Sequence, residues 1–100
     1  MSTTISRSRP GEAAIRHILT SPSIAPRTRP FLAGDVIDWA GLVAEAEAMS
    51  SGQALLVRIA YDLVEPDSLV GVWDVARRLG PSNFDRVVEA LRISRGLEAA

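Results

Sequence analysis

Residues 50–64 read Ser50-Ser51-Gly52-Gln53-Ala54-Leu55-Leu56-Val57-Arg58-Ile59-Ala60-Tyr61-Asp62-Leu63-Val64, and the fold class turns on them. Two periodicities compete here. Leu55, Leu56, Ile59, Ala60, Leu63 and Val64 fall on one side of a helix, with Arg58, Tyr61, Asp62 and Glu65 on the other. Val57 to Leu63 also alternates with period two and is rich in strand-favouring side chains. Ser50 with Gln53 favours helix, because S-x-x-Q is a capping box in which each side chain accepts from the other residue's backbone N–H. A run of about fourteen residues is also long for a strand. The runner-up is a small α+β fold in which 55–61 and 69–73 pair.

Working outward, Asp35 or Asp38 caps a helix over 38–49, on which Trp39, Leu42, Val43, Ala46 and Met49 recur at helical spacing. Beyond the central stretch, Glu65-Pro66-Asp67 breaks the chain, and Leu69-Val70 reads as a short extended link. A helix over 72–79 follows, burying Val72 or Trp73, Ala76 and Leu79; Gly80-Pro81 stops it, with the glycine suited to the left-handed C-terminal position. Ser82 with Asp85 opens a last helix over 82–95, striped by Phe84, Val87, Val88 and Leu91 and closed by Gly96. The expectation is an all-α fold, a small bundle of about four short helices. Its core is Trp39, Leu42, Val43, Leu55, Ile59, Leu63, Trp73, Ala76, Leu79, Phe84, Val87, Val88 and Leu91.

Ahead of this body the chain changes character. Residues 1–34 hold five arginines against one acid, and residues 35–100 six arginines against eleven acids, so a basic head precedes an acidic helical domain. Four of the six prolines lie in the head. One further short helix, Glu12 to Leu19, places Ile15, Ile18 and Leu19 together and turns Arg16 and His17 away, with Ser8 as a cap and Pro10 in the first turn. It is too short to persist alone in water. Residues 20–30 read as an extended linker because Pro22, Pro26 and Pro30 oppose helix and sheet, with Phe31 and Leu32 as an anchor. The division is 1–34, a flexible or partner-docking head, and 35–100, the folded unit.

The totals remove several function classes. With no cysteine there are no disulfides or thiolate metal sites, and one histidine leaves zinc without its ligands. The longest apolar runs fall far short of a membrane span, and no signal-peptide core follows the first residues, so a cytoplasmic protein is expected. His17 neighbours no nucleophile motif, and the glycines never take the spacing of a phosphate-cradling loop. Asp62, Glu65, Asp67 and Asp74 fail the calcium-loop pattern, since Leu69 and Val70 occupy its fifth and sixth positions counted from Glu65. No catalytic residue, cofactor or metal is assigned. Every basic side chain other than His17 is arginine, which a high-GC genome explains, although guanidinium forks also suit carboxylate and phosphate.

Residues 74–88, Asp74-Val75-Ala76-Arg77-Arg78-Leu79-Gly80-Pro81-Ser82-Asn83-Phe84-Asp85-Arg86-Val87-Val88, resemble a bacterial helix-turn-helix, with Ala76 and Gly80 four apart and Arg77-Arg78 able to face phosphates. Pro81, Phe84 and Arg86 depart from that pattern, and Asp85 and Glu89 bring negative charge to the groove. Trp39-x-x-Leu42-x-x-Glu45-Ala46, Ser51-Gly52-Gln53-x-Leu55-Leu56-Val57 and Asn83-Phe84-x-Arg86-Val87-Val88-Glu89-Ala90-Leu91 together resemble small uncharacterised helical proteins of high-GC bacteria, a likeness that implies no activity.

The function expected is a non-enzymatic interaction module, an adaptor or inhibitor-like small protein, that meets an acidic protein partner through Ile15, Arg16, Ile18, Leu19, Arg27, Arg29 and Phe31. The apolar residues form a helix-in-groove pattern and the arginines sit on a stiff proline spacer. The competing account is that the acidic body absorbs the basic head. The alternative function is a DNA-binding regulator using residues 74–92, and self-association is expected of so small a core.

Overall fold

Proline and glycine punctuate the chain into short helices, each of which must bury one face to persist. A computed structural model describes residues 10–64 and 70–96. Its elements are α1 (Pro10–Leu19), α2 (Ala25–Thr28), a 3₁₀ turn (Arg29–Phe31), α3 (Trp39–Ala46), α4 (Ser51–Val64), α5 (Val72–Arg78) and α6 (Pro81–Ser94). The fold is a small all-α bundle, with no strand among the described residues. Ser8, Arg7, Arg9, the break at Glu65-Pro66-Asp67 and the end at 97–100 lie outside the described residues.

The central stretch is helical from its cap onward. The Ser50 N–H donates to Gln53 Oε1 at 3.2 Å, and the Gln53 N–H donates to Ser50 Oγ at 3.3 Å, so the capping box closes reciprocally. The strand pairing of 55–61 is thereby corrected: Leu55 to Tyr61 lie wholly within α4. Ala54, Leu55, Leu56, Val57, Ile59 and Ala60 are all buried, which makes α4 the central helix. Burial of both Leu56 and Val57 spreads the apolar face too widely for either simple periodicity, which is why the two readings competed.

The core is built differently from the expected one. Ala14, Ile15, Ile18 and Leu19 of α1 are buried with Leu42 and Ala46 of α3, the α4 residues, and Val87 and Ala90 of α6. The α1 helix packs against both α4 and α6. Separation of a 1–34 head from a 35–100 domain is therefore not found in the packing of residues 10–34. A two-to-three-turn helix gains too little alone, and at about 1.5–3 kcal/mol for each large aliphatic side chain removed from water its apolar face has reason to dock on the body.

The expected linker is a compact turn. Pro26 and Pro30 occupy first-turn positions of α2 and the 3₁₀ turn, where a missing N–H costs nothing. Ile24 drops into the core, and the buried hydroxyls beside it are satisfied: Ser21 Oγ donates to Ile18 O and Thr28 Oγ1 to Leu19 O, each at 2.6 Å. The extended reading failed because proline opposes helix interiors, not helix starts.

Several side chains expected inside lie outside. Trp73 and Val43 are exposed, as is Ala76, and Phe84 and Leu91 are only partly covered. Trp39 is half-buried, edge-on to Tyr61 with centroids 5.2 Å apart and planes at 68°. Of the two expected caps, Asp35 and Asp38, it is Asp38 that caps α3, accepting from the Gly41 N–H at 3.0 Å. Gly80 has φ −70° and precedes α6 in an extended conformation, with Pro81 as that helix's first residue, so neither its left-handed role nor a Ser82 cap is seen. Gly96, at φ +79°, does take the left-handed position after α6.

Two stability changes follow from this core. Ile18→Ala should lower unfolding free energy by about 2–5 kcal/mol in urea titration, the range for truncating a fully buried aliphatic side chain. A Cβ on Gly41 would come within 2.5 Å of the Phe31 ring and 2.6 Å of the Asp38 carboxylate. Gly41→Ala should therefore destabilise by about 1–3 kcal/mol despite its better helix propensity, measured the same way.

Candidate functional site

The seven expected contact residues are not one surface. Ile18 and Leu19 are fully buried and have no area to offer a partner, and Ile15, also core, keeps only 8% exposed, at an open cleft. Phe31 is half-buried over Gly41. Arg16 spans α1 and the following loop, with Nε 3.2 Å from Glu12 Oε2, Nη1 donating to Leu32 O at 3.3 Å and Nη2 to Gly34 O at 3.1 Å. Arg27 Nε donates to Glu45 Oε2 at 2.8 Å and Nη1 to Ala48 O at 3.4 Å, tying α2 to α3. Arg29 alone of the seven is exposed.

Arg27 thus pairs with the acidic body, as the competing account of the charge split has it, whereas Arg16 is spent within residues 1–34. Reciprocal contacts run the other way. Arg86 of α6 donates to His17 O at 2.9 Å and to Thr20 O at 3.4 Å, placing a guanidinium at the C-terminal carbonyls of α1, where a cation is favoured. His17 Nε2 lies 2.8 Å from Glu89 Oε1, and Ser23 Oγ donates to Asn83 Oδ1 at 3.0 Å. Hydropathy alone assigned His17 to solvent; the pairing needs α6 beside α1, which no local pattern contains.

Three surface features stand out. One is an open cleft of about 420 Å³ between the start of α1, the loop before α3 and the end of α4, walled by Trp39, Ile37, Leu63 and Val64 with Glu12 and Asp35 at its polar side. Glu12 is already paired with Arg16, and among the described residues no group of three His, Asp or Glu side chains is placed to hold a metal ion. The second is Trp73 on α5, 70% exposed, with the Arg77 guanidinium 5.1 Å from its ring centroid. The third is the outer stripe of α6, where Phe84 is 38% and Leu91 45% exposed on either side of half-buried Val88.

The size of Trp73 favours a core anchor, with an interface hot spot as the alternative reading, and the structure leaves it exposed. The available signal for the opposite is its spacing to Arg77: a tryptophan four residues before an arginine on a charged helix forms a cation–π pair at the surface. The helix-turn-helix likeness has its turn at Gly80, where the backbone is extended and Ala76 exposed. Here α5 rests on α4 while α6 packs chiefly on α1.

Comparison with protein-family models, with curated proteins and with solved structures finds no match to this chain. No helix among the described residues is long and apolar enough to cross a membrane.

If Trp73 serves contact and not packing, its removal leaves the fold intact. Trp73→Ala should change unfolding free energy by less than about 0.5 kcal/mol, against several for Ile18→Ala, in parallel denaturant titrations.

Proposed function

We propose that this protein is a non-enzymatic interaction module that presents Trp73, backed by Arg77, to an acidic, apolar segment of a protein partner. The observation that supports it is the exposure of Trp73 with a guanidinium over its ring. An exposed indole forgoes the stabilisation its burial would bring, yet tryptophan and arginine are the residues that dominate binding energy at interface centres. Holding Arg77 over the ring pre-orders both side chains, so less entropy is lost on contact. Arg78, 3.6 Å from Asp74, adds a second guanidinium on the same helix.

Relative to the sequence reading, the role is kept and its surface moves from the N-terminal helix to α5, because that helix is enclosed. DNA binding draws less support. Asp85 and Glu89 both stand exposed on α6 and oppose the phosphate attraction on which such affinity depends.

The test is selection of a displayed peptide library on the full-length chain. Peptides carrying Asp or Glu beside a bulky apolar residue should be enriched, and their binding should weaken by about tenfold or more in Trp73→Ala and in Arg77→Glu, while Arg29→Glu leaves it unchanged. Failure to enrich such peptides, or equal binding by Trp73→Ala, would sink the proposal.

A further inference from the structure

The outer stripe of α6 carries a pattern that is complementary to itself. Phe84, Val88 and Leu91 are spaced four and three residues apart, so they line one side of the helix, next to the face that sinks Val87 and Ala90 into the core. Asp85 and Arg92 follow the same stripe along its solvent edge, seven residues apart, and neither has an ion-pair partner among the described residues.

We propose that α6 is the seam of a homodimer in which two copies pair antiparallel about a two-fold axis at Val88. In that register Val88 meets its own counterpart, Phe84 lies against Leu91 of the second copy, and Asp85 lies against Arg92, all within about one residue's rise of 1.5 Å. The two-fold repeats each contact, as an isologous interface must. A parallel two-fold keeps equal residues level, so Asp85 and Arg92 stay seven residues, about 10 Å, apart along the axis and no charge pair forms across the seam. The antiparallel register therefore covers the apolar stripe and pairs both charges at once.

The contact is short. Fourteen residues of helix span about 21 Å, which places the interface in the small, exchangeable class and makes the dimer concentration-dependent. It involves neither Trp73 nor Arg77, so it stands apart from the binding surface proposed on α5.

Sedimentation equilibrium of the full-length chain, from low micromolar to near-millimolar concentration, tests it. The mass should rise from one chain to two. Asp85→Arg and Arg92→Asp should each weaken association by more than about tenfold, and the double exchange should restore it. Both positions are exposed, so helical circular dichroism should be unchanged throughout, and Trp73→Ala should leave the dimer intact. A single-chain mass at every concentration, dimers indifferent to the single exchanges, no rescue by the double exchange, or loss of the dimer in Trp73→Ala would each overturn the assignment.

Discussion

Burial of one face of α1 between α4 and α6 is the constraint on which the rest of the structure depends. Ala14, Ile15, Ile18 and Leu19 supply that face, and α4 cannot be enclosed on its far side without it. Fully buried alanines on all three helices, Ala14, Ala60 and Ala90, permit close approach of their axes. The polar ties then fix rotation and register. Arg86 reaches the last carbonyls of α1, His17 meets Glu89, and the buried Ser21 and Thr28 hydroxyls bind backbone oxygens. No buried side-chain polar atom among the described residues is left without a partner. That matters more than the modest worth of the exposed ion pairs.

What could be read from the chain was what local chemistry decides. Ser50 and Gln53 announce α4, Asp38 announces α3, and Gly96 marks the end of α6, because a cap or a left-handed turn needs only its near neighbours. What could not be read was which apolar face meets which. Ile15, Ile18 and Leu19 form the same pattern whether they dock on a stranger or on α6. Trp73 and Trp39 likewise sit at similar helical positions, and only the packing of α4 distinguishes the half-covered one from the open one. The charge split was real but misleading, since Arg16 and Arg27 are spent on Glu12, Glu45 and backbone carbonyls instead of projecting from a separate unit.

The residues expected to make contact are mostly not the ones the fold leaves open. An interaction surface rich in arginine was expected, and exposed apolar side chains beside arginines are present, on α5 and α6 instead of the N-terminal helix. The reason is economy of surface: a chain of 100 residues has few helices to spare, so the helix that looks most like a ligand is recruited as the core's third wall. The apolar side chains left open, Trp73, Phe84 and Leu91 among them, are those over which no further helix lies among the described residues.

The long-range ties carry one more implication, for the order in which the molecule assembles. His17 and Glu89 are separated by 72 positions, so α1 is synthesised well before α6 and waits for it before that side is sealed. Local helix formation is fast, but closing so large a loop delays the final step. Until α6 arrives, α1 can be covered on its α4 side alone. A nascent chain arrested before α6 emerges keeps the α6 side of α1 open for as long as the arrest lasts.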